Sequence, residues 1–161
     1  MKLREKAYQS LVRPITEYSC TVWDPHQCKD TSCIEMVQRR GARFVTQDYH
    51  QKSSVTDMLK RLDWDSLSNR RMDARLTMMY KIIHHLAVIP HDSILIPADP
   101  RTRANHSYKF KAIQSKTTPF RHSFFVSTIP HWNSLPRKTV ESKNLKIFKS
   151  NRNSERNGKH S

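Results

Sequence analysis

The 161-residue sequence sets 29 Lys/Arg against 14 Asp/Glu, a formal net charge of +15, and is only 36% hydrophobic with two glycines. That length fits one domain, or a small domain with an appended tail, and the low apolar share implies a modest core. No 18-residue apolar run occurs, Lys2, Arg4, Glu5 and Lys6 leave no apolar leader after Met1, and the cysteines number three, so a soluble, intracellular protein with reduced thiols, no membrane span and no secretory signal is expected.

In chain order, Leu3, Ala7, Leu11, Ile15 and Tyr18 recur at helical spacing. They predict a first helix with these residues along one side, which Pro14 either kinks or ends near Arg13, and the spacing that continues past the proline favours a kink. Trp23-Asp24-Pro25 reads as a stop. Cys20, His26, Cys28 and Cys33 lie on either side of it, but they lack the paired C-x-x-C spacing of structural zinc modules, so no metal is expected.

Residues 32–46 predict the next helix. Ser32 and Glu35 have capping-box spacing, and Ile34, Val37, Gly41, Phe44 and Val45 fall on one side. Arg39 and Arg43 fall on the other, with Arg40 at its flank. Gly41 on the apolar face predicts close approach of another backbone. The arginines admit two readings: a solvated face on which Glu35 and Arg39 pair at i, i+4, or a surface for phosphates.

Ser54-Val55-Thr56-Asp57 offers a second start, for a short helix through Met58, Leu59 and Leu62, and Asp63 to Ser66 break it and supply a new cap. The longest helix then runs from Leu67 to about Leu86. Its apolar arc is broad enough to be covered on two sides, with Asn69, Asp73, Thr77 and His84 at a wet edge. Arg71 and Arg75 lie within that arc. Snorkelling to solvent is the expected solution, with an acidic partner or a phosphate as the others. His84, His85 and His91 read as surface or core-edge residues.

Prolines at 90, 97 and 100 close the helical body, and the charge then changes character. Residues 1–100 hold 15 Lys/Arg against 12 Asp/Glu, whereas residues 101–161 hold 14 against only Glu141 and Glu155. This suits a polyanion, nucleic acid before anionic membrane, with a solubilising or disordered tail as the plain alternative. Tyr108, Phe110 and Ala112 alternate with Lys109 and Lys111 like a short strand, and Arg121 lies among Phe120, Phe124 and Phe125. Cations among aromatics suit single-stranded nucleic acid. Phe125, Ile129 and Trp132 are spaced instead to dock a short helix starting at Ser123, which favours buried rings and free cations. Ser142 is the expected cap of a last helix through Leu145 and Phe148, with disorder from Asn151 to Ser161.

The expected architecture is therefore mainly α: a small helical bundle over residues 1–90, an irregular basic segment over 91–150 with short helices and one candidate strand pair, and a tail over 151–161. No P-loop, dinucleotide fingerprint or nucleophile elbow is present, and Asp63 and Asp65 are placed for capping. Neither enzymatic activity, nor a cofactor, nor a small-molecule substrate is expected.

Several blocks in one order carry a resemblance. Leu11-Val12-Arg13-Pro14-Ile15-Thr16-Glu17-Tyr18, Val22-Trp23-Asp24-Pro25, Val37 to Phe44, Arg70-Arg71 with Arg75-Leu76, Ser123-Phe124-Phe125 with Thr128-Ile129, and Trp132-Asn133-Ser134-Leu135-Pro136 resemble the end of a non-LTR (LINE-type, jockey-like) retrotransposon reverse transcriptase. The likeness spans about residues 2 to 149. It covers the helical thumb and the segment beyond it, without the palm's metal-binding motif or the endonuclease carboxylates. Val126 and Ser127 stand where that family usually has Pro-Arg, and Gly41 where Ala is usual.

The resemblance implies a non-catalytic fragment of an RNA-directed DNA polymerase, nuclear in location, that grips a template–primer backbone of RNA, DNA or hybrid. Arg39, Arg40, Arg43, Arg71, Arg75, Lys109, Lys111 and Arg121 are the candidate contacts. The alternatives are a helical interaction module whose exposed apolar surface needs a palm domain or another protein, and a decayed element remnant.

Overall fold

The computed structural model describes residues 2–99 and 106–157, and it is mainly helical. Chain contacts divide it into two compact units, Met1–Met72 and Asp73–Ser161. The division falls inside a helix, whereas the prolines had pointed to a boundary near residue 90.

The first unit begins with a helical run: α1 (Lys2–Ala7), a π-helical turn (Tyr8–Val12) and α2 (Arg13–Glu17). Pro14 has no N–H to give to the preceding turn, and a widened turn just before it lets the helix continue. The inward face is not the one the spacing predicts. Leu3, Leu11, Ile15 and Tyr18 are exposed, while Tyr8 is buried. Tyr8 stacks on Trp64 with ring centroids 4.6 Å apart, and Arg13 lies over the same indole. Glu17 is held by Arg70, 2.6 Å away. An aromatic stack and an ion pair thus fix the rotation of the run, and its aliphatic stripe turns outward.

After α3 (Cys20–Trp23), α4 extends over Cys28–Thr46, one turn longer at its start than expected. Ser32 therefore lies inside the helix. Glu35 accepts a hydrogen bond from the Ser68 N–H at 2.8 Å, satisfying a first-turn donor of another helix instead of its own. The buried face of α4 is Gln38, Gly41, Ala42 and Val45. Gln38 is tolerated there because its amide donates to the Asp65 carbonyl at 2.6 Å. Gly41 admits the Tyr8 ring, not a backbone segment. Val55, Met58, Leu62 and Trp64 complete this core.

The short α5 (Val55–Arg61) is capped by Ser54, whose hydroxyl accepts from the Asp57 N–H. Ser66 likewise accepts from the Asn69 N–H at 3.1 Å, opening α6 (Leu67–Ile83). Both caps match the sequence reading.

In the second unit, Leu76, Met79, Tyr80 and Ile82 of α6 are buried, as are Val126, Ile129, Trp132, Val140 and Phe148. The Tyr80 and Trp132 rings lie 4.6 and 6.0 Å from that of Phe148, and the Tyr80 hydroxyl donates to the Ser142 carbonyl at 2.6 Å. A short α7 (Thr118–Arg121) precedes α8 (Phe124–Asn133), which starts after Ser123 and buries Ile129 and Trp132 as their spacing requires, whereas Phe125 of the same expected face is only half-buried and Val126 is buried instead. Pro97 and Phe110 form an antiparallel bridge, the counterpart of the alternation read around Tyr108 to Ala112.

Two expectations about the C-terminus change. Ser142 is buried after α9 (Arg137–Val140) and is not the cap of α10 (Leu145–Asn157). Asn144 takes that role, its side-chain oxygen accepting from the Ile147 N–H at 2.9 Å. Residues 151–157 are helical, because Arg152 and Arg156 both reach Asp73 and Glu155 pairs with Arg152. The rest of the expected disordered tail, residues 158–161, lies outside the described residues.

Candidate nucleic-acid interface

The sequence-predicted cations separate into buried and open groups. Arg71 is 2% exposed, and its Nε lies 2.7 Å from Asp24 Oδ1. Arg75 is 6% exposed and donates to the Ser127 hydroxyl. Neither snorkels. Each is neutralised or hydrogen-bonded inside its own unit, which removes both from a solvent-facing phosphate surface. Arg43 is half-buried and donates to the His50 carbonyl at 3.0 Å, tying down the loop after α4. Asp48 helps to hold that loop. The Ser53 hydroxyl beside it, then the His50 N–H, keep its carboxyl below the ordinary carboxylate range.

Arg39 and Arg40 remain open. Both are exposed on α4, with no ion pair to a described residue, and Glu35 is engaged with Ser68 rather than with Arg39. In the first unit these two are what is left of the predicted cationic face.

The second unit holds 16 Lys/Arg and 5 Asp/Glu. Its arginines take most of the carboxylates: Arg152 and Arg156 meet Asp73, Arg152 also meets Glu155, and Arg137 lies 2.8 Å from Glu141. The Arg137 guanidinium, then the Ser107 hydroxyl, hold the Glu141 carboxyl below its ordinary value. Planar guanidinium groups match carboxylates in two-pronged geometry, whereas lysines do not. The lysines are correspondingly left over. Lys111, Lys116, Arg121, Lys138, Lys143, Lys146 and Lys149 are exposed and have no carboxylate partner among the described residues. Lys109 is half-buried and has a partner.

Lys143, just before α10, and Lys146 and Lys149 on it recur every third residue, and none of the three is among the sequence-predicted contacts, which lie beside aromatic residues or on earlier helices. No acidic residue occurs between Asp99 and Glu141. Unpaired, exposed ammonium groups without competing carboxylates can exchange their counterions for phosphates at little desolvation cost.

The aromatic partners are divided as well. Trp132 is fully buried and its indole N–H donates to the Tyr108 carbonyl at 2.9 Å, so it is structural. Tyr108 and Phe120 are 40% and 48% exposed, and the Tyr108 ring lies 5.8 Å from that of His84.

Among the described residues, no three His, Cys, Asp or Glu side chains gather closely enough to hold a metal ion, and no helix is long and apolar enough to cross a membrane. No protein-family model, curated protein or solved structure matches the chain.

Proposed function

We propose that the chain is a non-catalytic nucleic-acid-binding module that contacts phosphates through lysine-rich surface, with little sequence preference. The observation that carries this is the division of labour in the second unit: arginines occupy Asp73, Glu141 and Glu155 and leave Lys143, Lys146 and Lys149, with Lys111, Lys116 and Arg121, without a carboxylate among the described residues. Arg39 and Arg40 add a second open cationic group in the first unit. The likeness of the sequence blocks to the thumb and post-thumb part of non-LTR reverse transcriptases supports the same reading, with a template–primer backbone as ligand and the nucleus as location.

The test is binding of fluorescent RNA, DNA and hybrid oligonucleotides to the full chain and to a Lys143→Gln/Lys146→Gln/Lys149→Gln variant. The proposal expects all three ligands to bind and the variant to weaken all three alike. Undiminished binding by the variant would contradict the assignment to α10.

One observation favours a second reading. Leu3, Leu11, Ile15, Tyr18 and Val22 are 68–84% exposed along the N-terminal helices, an apolar stripe of the kind that marks a protein interface. A chain that oligomerises or aggregates in size-exclusion chromatography, and is rescued by polar substitutions at Leu11 and Ile15, would favour an interaction module.

A further inference from the structure

An open cleft of about 630 Å³ lies in the second unit, beside α7 and α8. Clefts that accept nucleotide-sized ligands run from about 300 to 1,000 Å³. Ile113, Val126 and Pro130 give it apolar wall, Gln114 and Ser127 give it polar groups, and Arg121 stands at it as an exposed cation.

The hydrogen-bonding capacity of the wall is restricted by what lies behind it. The Ser127 hydroxyl donates its only hydrogen to the Ser123 carbonyl at 2.7 Å and accepts from the buried Arg75 guanidinium. It therefore has a lone pair to offer and no donor. A phosphate oxygen cannot use that atom, whereas a base N–H can. Arg121 is the charged donor for a phosphate, and the Gln114 amide can both give and accept. An apolar wall, an acceptor and one cation suit a base joined to a phosphate better than either alone.

We infer that this cleft takes one unstacked nucleotide of a single strand, its base against Ile113, Val126 and Pro130 and its phosphate on Arg121. The inference rests on the nucleic-acid reading and gives it a specific seat. Charge supports this occupant over an acidic peptide only jointly with the apolar wall: the absence of acidic residues between Asp99 and Glu141 favours any anion, and the apolar contacts of Ile113, Val126 and Pro130 favour one that carries a base. A duplex keeps its bases stacked and would not enter.

The test uses the full chain and a fluorescein-labelled 12-nucleotide oligouridylate with one central 4-thiouridine. Irradiation should cross-link it to a peptide within residues 113–130. Arg121→Ala should abolish that cross-link and weaken binding about tenfold, the loss of one charge-assisted hydrogen bond. Arg121→Lys should restore part of both. Arg121 is exposed, so an unchanged melting temperature in its variants will show that folding is not the cause. Cross-links that map elsewhere, or binding and cross-linking indifferent to Arg121→Ala, would overturn the cleft while leaving the wider reading intact. No binding of the oligonucleotide at low salt would overturn both.

Discussion

Asn133 closes both backbone hydrogen bonds of Phe110: its side-chain oxygen accepts from the Phe110 N–H at 3.0 Å and its amide donates to the Phe110 carbonyl at 2.7 Å. One side chain on α8 thereby does the work of a neighbouring strand. It fixes the segment that leads to Lys111 and to the cleft wall at Ile113 and Gln114. Asn133→Ala strands both backbone groups and should destabilise by about 1–3 kcal/mol. Hydrogen exchange should show residues 107–116 losing protection first. Unchanged exchange there would mean that the Pro97 bridge and the Trp132 indole suffice.

Gly41 is required by the Tyr8 ring. A Cβ at this position would stand 2.7 Å from Cδ2 and 2.9 Å from Cζ of Tyr8. The ring is held by its stack on Trp64 and cannot give way freely. Gly41→Ala gains up to about 1 kcal/mol of helix propensity but overpacks at a cost of about 1–3 kcal/mol, so a net loss is expected in chemical denaturation. In a Tyr8→Ala background the same substitution should become stabilising. Tyr8→Phe should be neutral or mildly stabilising, because the buried hydroxyl has no hydrogen-bond partner among the described residues.

The Asp24–Arg71 pair is buried on the arginine side and only 18% exposed on the aspartate side. Removing Asp24 leaves a guanidinium charge inside the first unit, so Asp24→Ala should cost about 3–5 kcal/mol. Asp24→Ala with Arg71→Met should recover much of that loss. A double variant as unstable as the single one would show that the charge is not the cause.

These relationships mark where sequence reading stops. The caps at Ser54 and Ser66, the continuation of the helix past Pro14 and the inward face of α8 were legible, because each depends on residues within one or two turns. The rotation of the N-terminal helices was not, since Tyr8 outweighs four aliphatic residues only through a glycine 33 positions away. Arg71 was expected to reach solvent because nothing local announces a carboxylate 47 residues upstream. The helix through residues 151–157 was hidden by a polar composition whose arginines need Asp73, far back in the chain.

Burial holds the imidazoles of His84 and His106 below the ordinary histidine range, with the charge of His85 adding to the effect at His84 and the Trp132 carbonyl opposing it at His106. Both rings are therefore neutral in the folded chain at a pH where the unfolded chain begins to bind protons, about 6.5. Stability should be level above that pH and fall as pH drops from about 6.5 toward the lowered folded values. His84→Phe keeps the ring beside Tyr80, 4.1 Å between centroids, and should flatten the fall in thermal melts between pH 7 and 5.

The most direct test of the central claim is the salt dependence of binding to single-stranded RNA by fluorescence anisotropy, comparing the full chain with the α10 lysine variant. Phosphate contact by unpaired lysines predicts affinity falling linearly in log salt, with a slope shallower by about 0.7 for each lysine contact removed. A slope near zero, or one identical in the two proteins, would contradict it.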